Sequence, residues 1–91
     1  MEGEAQTTMT ATMVAALQHR ERLARRERVA AAIWQTYVAS PIVQEGSKGL
    51  SWDDLCRMAD RHGPGSAPGL YRSTALAEAE AAMQVMEMFD A

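Results

Sequence analysis

The feature that most constrains the fold is an arginine-rich segment in the middle of a long predicted helix. Residues Thr10 to Val38 contain no proline or glycine, and they predict one helix of nearly thirty residues. Its middle, Gln18 to Arg28, reads QHRERLARRER, whereas apolar residues dominate on both sides. A chain of 91 residues can cover such a segment only in part. The segment is therefore either solvated or placed to meet acidic groups.

The apolar residues of the chain are mainly alanine and methionine, with only five aromatic residues. Alanine and methionine favour helices, whereas strands prefer β-branched and aromatic residues. We therefore predict an all-α fold: a small open three-helix bundle with a long N-terminal helix, a short middle helix and a medium C-terminal helix. We expect residues 1–8 to form a flexible tail and residues 9–91 to form a single helical domain.

The first helix is predicted to begin at a cap on Thr8 or Thr10 and to end before Pro41. Its apolar residues recur every seven positions, which indicates a helix-packing row: Ala16, Leu23, Ala30 and Tyr37. In the loop that follows, Ile42 and Val43 are expected to return to the core.

The second helix is predicted to begin at a Ser51 cap and to end at Gly63-Pro64. Its apolar face follows helical spacing: Trp52, Leu55, Cys56 and Ala59. Residues 63–69 read GPGSAPG and predict a break between helices.

The third helix is predicted to start at a cap on Ser73 or Thr74 and to reach Phe89. One stripe of this helix is apolar: Leu76, Ala79, Met83 and Met86. Val85 and Met88 fall outside that stripe and indicate a second apolar contact surface.

The residue types that catalysis needs are present but scattered. Cys56 lies on the apolar face of its helix, where a structural thiol is expected. His19, His62 and the adjacent Asp53 and Asp54 do not have the spacing of a metal site or a catalytic set. We therefore expect a non-enzymatic protein with no cofactor and no bound metal.

Charge is segregated along the chain, although the net charge is only −3. The arginine-rich segment is basic, whereas after Arg72 the chain has acidic residues and no basic ones. The segment fits three interpretations: a solvated helix face, a surface for an acidic protein, or a surface for nucleic acid. The candidate partner-binding residues are Arg20, Arg22, Arg25, Arg26, Arg28, Val85 and Met88.

Together these patterns favour a small helical protein-binding module, such as an adaptor, an assembly factor or an inhibitor of a larger complex. The alternative is a nucleic-acid-associated accessory protein that uses residues Arg20 to Arg28. A homodimer is a further candidate, because the basic segment of one chain could face the acidic last helix of another, and the same pairing could also form within one chain. The sequence contains neither a signal-peptide pattern nor an apolar stretch long enough to span a membrane, so we expect a cytoplasmic protein.

Overall fold

The fold is all-α, as predicted. The computed structural model describes the backbone of residues 2–90 and the side chains of residues 10–90. Three α-helices follow one another along the chain: α1 (Glu2–Tyr37), α2 (Trp52–His62) and α3 (Ala67–Asp90). A single turn of 3-10 helix (Glu45–Ser47) lies between α1 and α2, and this part of the chain contains no strand.

Helix α1 runs without a break through the arginine-rich segment. Its beginning differs from the prediction, because Thr8 and Thr10 lie inside the helix and therefore do not cap it. At the other end Ser40 N–H donates to the carbonyl of Tyr37 at 2.7 Å, which turns the chain before Pro41. The flexibility expected for residues 1–8 concerns a segment whose side chains lie outside the described residues, so it stays a prediction.

Helices α1 and α3 pack side by side in opposite directions. Ala30 of α1 is fully buried against Ala75 and Ala79 of α3, and small side chains of this kind let the two backbones come close. Further towards the N-terminal end of α1, Arg22 contacts Glu87, which is near the C-terminal end of α3. These contacts fix the antiparallel pairing that positions the surfaces described below.

A second buried cluster joins α1, α2 and the loop between them. Trp34, Val43 and Leu55 form its centre. The indole of Trp34 donates a hydrogen bond to the Leu50 carbonyl at 2.6 Å and lies 5.7 Å from the ring of Tyr71. The loop is therefore attached to the core at several points.

Several apolar positions are more exposed than the sequence predicts, including Met86 of the predicted α3 stripe, which is 38% exposed. Val43 returns to the core as predicted, but its neighbour Ile42 is 82% exposed. In the predicted seven-residue row of α1, Ala30 is buried, whereas Ala16 is exposed. The row therefore packs only in its C-terminal part.

Helix α2 has the ends that its sequence predicts. The hydroxyl of Ser51 accepts a hydrogen bond from the N–H of Asp54 at 3.2 Å, which is an N-cap. Leu55 and Ala59 are buried. Gly63 ends the helix with a φ of 93°, a value that favours glycine.

Helix α3 begins almost two turns before the predicted caps, since Ser73 and Thr74 lie inside it. Its cap is Ser66, whose hydroxyl accepts a hydrogen bond from the N–H of Gly69 at 3.2 Å. Pro68 fits in the first turn because an N–H there would have no partner within the helix. The predicted break over residues 63–69 is therefore too long.

The turn between α2 and α3 depends on a close backbone contact at Gly69. A Cβ atom at this position would lie 2.4 Å from the carbonyl oxygen of Gly63 and 2.8 Å from that of Pro64. Both neighbours are backbone atoms, which cannot move aside as a flexible side chain does. Only glycine allows α3 to start this close to the end of α2.

The α1–α3 pair is open at one end. Residues 10–21 of α1 and residues 84–90 of α3 are all exposed, and we call these two segments the open end. The remainder of the described structure, which holds both buried clusters, is the closed end. The open end contains large apolar side chains in solvent, including Leu17 at 54% and Met88 at 76% exposure.

Candidate protein-binding surfaces

The predicted attraction between the basic segment and the acidic last helix is satisfied within the chain. Arg22 makes ion pairs with Glu80 at 2.9 Å and with Glu87 at 3.1 Å. The hydrogen bond from Arg22 lowers the pKa of Glu80, against the opposing effect of burial. The same two carboxylates raise the pKa of Arg22. Arg22 therefore helps to hold α3 on α1.

Arg26 also belongs to the interior side of the segment. Its side chain is half-buried, and its Nε is buried without a hydrogen-bond partner among the described residues. Its positive charge contributes to lowering the pKa of Glu80. Arg26 therefore faces the helix pair rather than bulk solvent.

The other three arginines of the segment remain in solvent. Arg20, Arg25 and Arg28 are exposed, and within the part of the chain that the structure describes they take part in none of the ion pairs. The sequence pattern indicated one surface of five arginines. The structure divides them into two that are half-buried towards α3 and three that are exposed to solvent.

Two of the exposed arginines share a side of α1 with apolar residues of the open end. We call this side the α1 outer face, and it consists of Val14, Leu17, Glu21, Ala24, Arg25 and Arg28. The spacing of these residues places them along one side of the helix. All six are exposed, so this face has an apolar end and an end with two arginines, and Glu21 lies between the two ends.

An open groove of about 560 Å³ lies between α1 and α3, and residues of the α1 outer face form part of its lining. Its lining residues include Gln18, Glu21, Arg25, Arg28, Met83 and Glu87. The groove is polar on the α1 side and reaches the buried Met83 at its base. A partner side chain could enter it while the backbone of the partner follows α1.

A third surface lies on the side of α3 that faces away from α1 and α2. Val85 and Met88 are 52% and 76% exposed there, outside the packed stripe, and the contact surface predicted at these residues stays a prediction. The same side continues back to Leu70, which is 56% exposed. The sequence pattern did not indicate Leu70 as part of this surface, because the predicted start of α3 was Ser73 or Thr74.

Side-chain bonds between distant elements are a feature that the sequence pattern did not indicate. The indole of Trp52 donates a hydrogen bond to Glu27 at 2.8 Å, which connects α2 to α1. The hydroxyl of Tyr37 donates to Glu78, and this bond raises the pKa of Tyr37. Arg72 of α3 makes an ion pair with Asp60 of α2 at 2.8 Å. All of these bonds lie at the closed end.

The lone cysteine is in a position that reduces its reactivity. Cys56 is half-buried, and burial raises the pKa of its thiol, with a further contribution from Glu27. The positive charge of Arg72 opposes this shift, but the net direction is upward. A thiol with a raised pKa is mostly protonated and is a weak nucleophile at neutral pH.

The other candidate catalytic residues have separate surroundings. His19 is exposed on α1, and His62 is in the last turn of α2. Asp53 and Asp54 lie in the first turn of α2, where the helix dipole favours carboxylates. In the residues described, no three metal-ligating side chains come together, and no helix has the length and apolarity to cross a bilayer.

No protein-family model, no curated protein and no solved structure matches this chain. The candidate function therefore rests on the surfaces described above.

Proposed function

We propose that the protein is a non-enzymatic binding module that receives a helix of another protein on the α1 outer face. One observation carries the proposal: Arg25 and Arg28, which form no ion pair with any of the described residues, share a helix face with exposed Val14 and Leu17. Surface leucines and valines in isolation are common, but here they continue into a basic face beside a groove. This combination is more typical of a protein-binding surface than of a solvated helix face.

The chemistry of the face defines the partner. A helix that follows α1 would place apolar side chains on Val14 and Leu17 and carboxylates on Arg25 and Arg28. Arginine is well suited to this task because its planar guanidinium can bind a carboxylate through two hydrogen bonds. The proposed partner is therefore an amphipathic helix with one apolar end and one acidic end, as in other helix-in-groove complexes.

The role of the module is to bind, as an adaptor, an assembly factor or an inhibitor does, rather than to catalyse. The raised pKa of the Cys56 thiol supports this part of the proposal. If it is correct, a thiol reagent should modify Cys56 slowly in the folded protein and rapidly in denaturant. Fast modification in the folded state would instead favour an activated cysteine. A single cysteine is also consistent with the reducing environment of the cytoplasm, where we place the protein.

Nucleic acid is the alternative ligand for the arginines. The ion pairs of Arg22 and the half-buried position of Arg26 weaken this alternative, because only Arg20, Arg25 and Arg28 are left for phosphates. We therefore prefer the protein partner.

Site-specific photocrosslinking tests the proposal directly. A photoreactive residue at position 17, in extract of the source cells, should yield an adduct that maps to an acidic amphipathic helix. The adduct should be lost in the double variant R25E/R28E and kept in R61E, which reverses an exposed arginine on α2. An adduct with nucleic acid would favour the alternative, and one that is unaffected by R25E/R28E would contradict the role of these arginines.

Binding to mixed-sequence RNA and DNA provides the complementary test. Fluorescence anisotropy at low and physiological salt should show at most weak binding that disappears as salt rises. Tight binding at physiological salt that is lost in R25E/R28E would make the α1 outer face a phosphate-contact surface.

A further inference from the structure

The exposed side of α3 carries an uninterrupted row of uncharged residues. We call it the α3 outer face, and it consists of Leu70, Thr74, Ala77, Ala81, Val85 and Met88. Consecutive members are three or four residues apart, which places them on one side of the helix. All six are exposed in the single chain.

The charged residues of α3 point away from this row. Arg72 pairs with Asp60 of α2, and Glu78 accepts a hydrogen bond from Tyr37 of α1. Glu80 and Glu87 both pair with Arg22 of α1. Beside the row lie the uncharged Ser73 and Gln84 on one edge and the exposed Glu78, next to Thr74 and Ala81, on the other.

This arrangement is unusual for a helix at the surface. A surface helix normally has charged residues opposite its buried face, whereas a helix that is apolar on both sides is covered on both sides. Helix α3 buries Ala75, Ala79 and Met83 on one side and presents the α3 outer face on the other. The second side is therefore suited to packing against another helix.

We propose that the α3 outer face packs against the same face of a second copy of this chain, with the two α3 helices antiparallel about a two-fold axis. A two-fold interface places one surface against itself, so its side chains must be complementary to their own reversed order. The row meets this condition. Leu70 would lie opposite Met88 of the second copy, Thr74 opposite Val85, and Ala77 opposite Ala81, so that residues of similar size meet at every level.

The charge of the face distinguishes a second copy from other occupants. An acidic or a basic partner helix would gain nothing from a row without charges, whereas the α1 outer face offers Arg25 and Arg28 to such a partner. A lipid surface would favour bulky apolar residues with basic flanks. The row instead has Ala77 and Ala81 at its centre, where small side chains let two helices approach closely.

The size of the face sets the strength of the dimer. From Leu70 to Met88 the row is about 27 Å long, at roughly 1.5 Å per residue. One helix pair of this length buries less than the roughly 800 Å² per partner of a standard interface. We therefore expect a weak dimer that dissociates on dilution, with a dissociation constant roughly in the micromolar range.

Sedimentation equilibrium of the full chain, with matched alanine variants, tests the dimer. A81E places a charge at the centre of the proposed interface, whereas A32E places the same charge at an exposed alanine of α1. A81E should raise the dimer dissociation constant at least about tenfold, because a buried carboxylate would have no partner there. A32E should leave it unchanged, and circular dichroism should show equal helix content in all three proteins.

A wild-type chain that remains monomeric up to about 1 mM would overturn the proposal, since that limit lies well above the expected range. It would also be overturned if A81E and the wild type had the same dissociation constant, because the dimer would then use another surface. Neither result bears on the α1 outer face, so the test is independent of the proposed function.

Disulfide crosslinking tests the antiparallel direction. In a C56S background, the single variants L70C and M88C should not crosslink alone, because each cysteine would lie far from its own copy. An oxidised mixture of the two should give a disulfide-linked heterodimer. Crosslinking of each variant with itself would indicate parallel helices and would contradict the proposed pairing.

Discussion

The closed and open ends of the molecule use the same two helices in different ways. At the closed end, α1 and α3 bury alanines against each other, and Trp34 and Leu55 complete a core with α2 and the loop. At the open end the helices are exposed from residue 10 to 21 and from 84 to 90, and large apolar side chains lie in solvent. The difference indicates that the closed end supplies stability, whereas the open end is available for contacts with other molecules.

Between the two ends the helices are held together by charge. Arg22 bridges to Glu80 and Glu87, close to where burial stops. Ion pairs of this kind can form at a solvent-exposed position, but each contributes little to the free energy of unfolding there. The bridge therefore fixes the orientation of the open end more than it stabilises the fold.

The largest expected effect on stability comes from removing the centre of the core at the closed end. Trp34→Ala should lower the free energy of unfolding by about 3–5 kcal/mol, because it leaves a cavity and an unpaired Leu50 carbonyl. Leu17→Ala, at the open end, should change it by less than about 0.5 kcal/mol. Urea denaturation followed by circular dichroism measures both. Similar losses in the two variants would remove the distinction between the ends.

The second effect concerns the close contact between α2 and α3. Gly69→Ala should cost about 2 kcal/mol, because its methyl group would meet two backbone carbonyl oxygens. Gly65→Ala is the matched control: a Cβ there meets nothing within 4 Å, and its φ is not in the left-handed range. The control should be neutral or slightly stabilising by thermal denaturation. If Gly69→Ala had the stability of the control, the turn would not depend on this contact.

The third and smallest effect is the contribution of the ion-pair bridge and its dependence on pH. Arg22→Gln should lower the melting temperature modestly at neutral pH, whereas Arg25→Gln should not, since Arg25 is exposed and in no ion pair of the described structure.

The contribution of this ion-pair bridge should depend on pH. Because Arg22 lowers the pKa of Glu80, the bridge stabilises the fold above the unfolded-state pKa of the carboxyl, about 4.3. The effect is lost as pH falls through the folded-state pKa. The difference between Arg22→Gln and the wild type should therefore shrink below about pH 4. A difference that stays constant down to about pH 2 would show that the bridge is not ionic.

The sequence predicted those parts of the fold that depend on neighbours along the chain. The absence of proline and glycine over residues 10–38 correctly predicted that α1 is unbroken there. The Ser51 cap and the terminal Gly63 correctly predicted the two ends of α2. The predicted start of α3 was wrong: the Ser66 cap and Pro68 in the first turn are local signals of a helix start, but the glycines around them predict a loop. The close backbone contact that makes Gly69 necessary is visible only in the folded chain.

The candidate surfaces were predicted only in part for a similar reason. The charge pattern showed that the basic segment and α3 are complementary, but only the path of the loops determines that Arg22 meets Glu80 and Glu87 in the same chain. Val85 and Met88 were correctly placed outside the packed stripe. The extent of the α3 outer face depends on where α3 begins, so the wrong predicted start of α3 left Leu70 out of this face.

Hydrogen exchange of the α1 amides, measured by NMR on dilute protein, tests most directly whether stability resides at the closed end. Amides from Leu23 to Tyr37 should exchange only through global unfolding, because this stretch packs on both buried clusters. Amides of residues 14–20 should exchange much faster through local opening, since no side chain there is buried. Equal protection along the whole of α1 would contradict the division of the molecule into two ends.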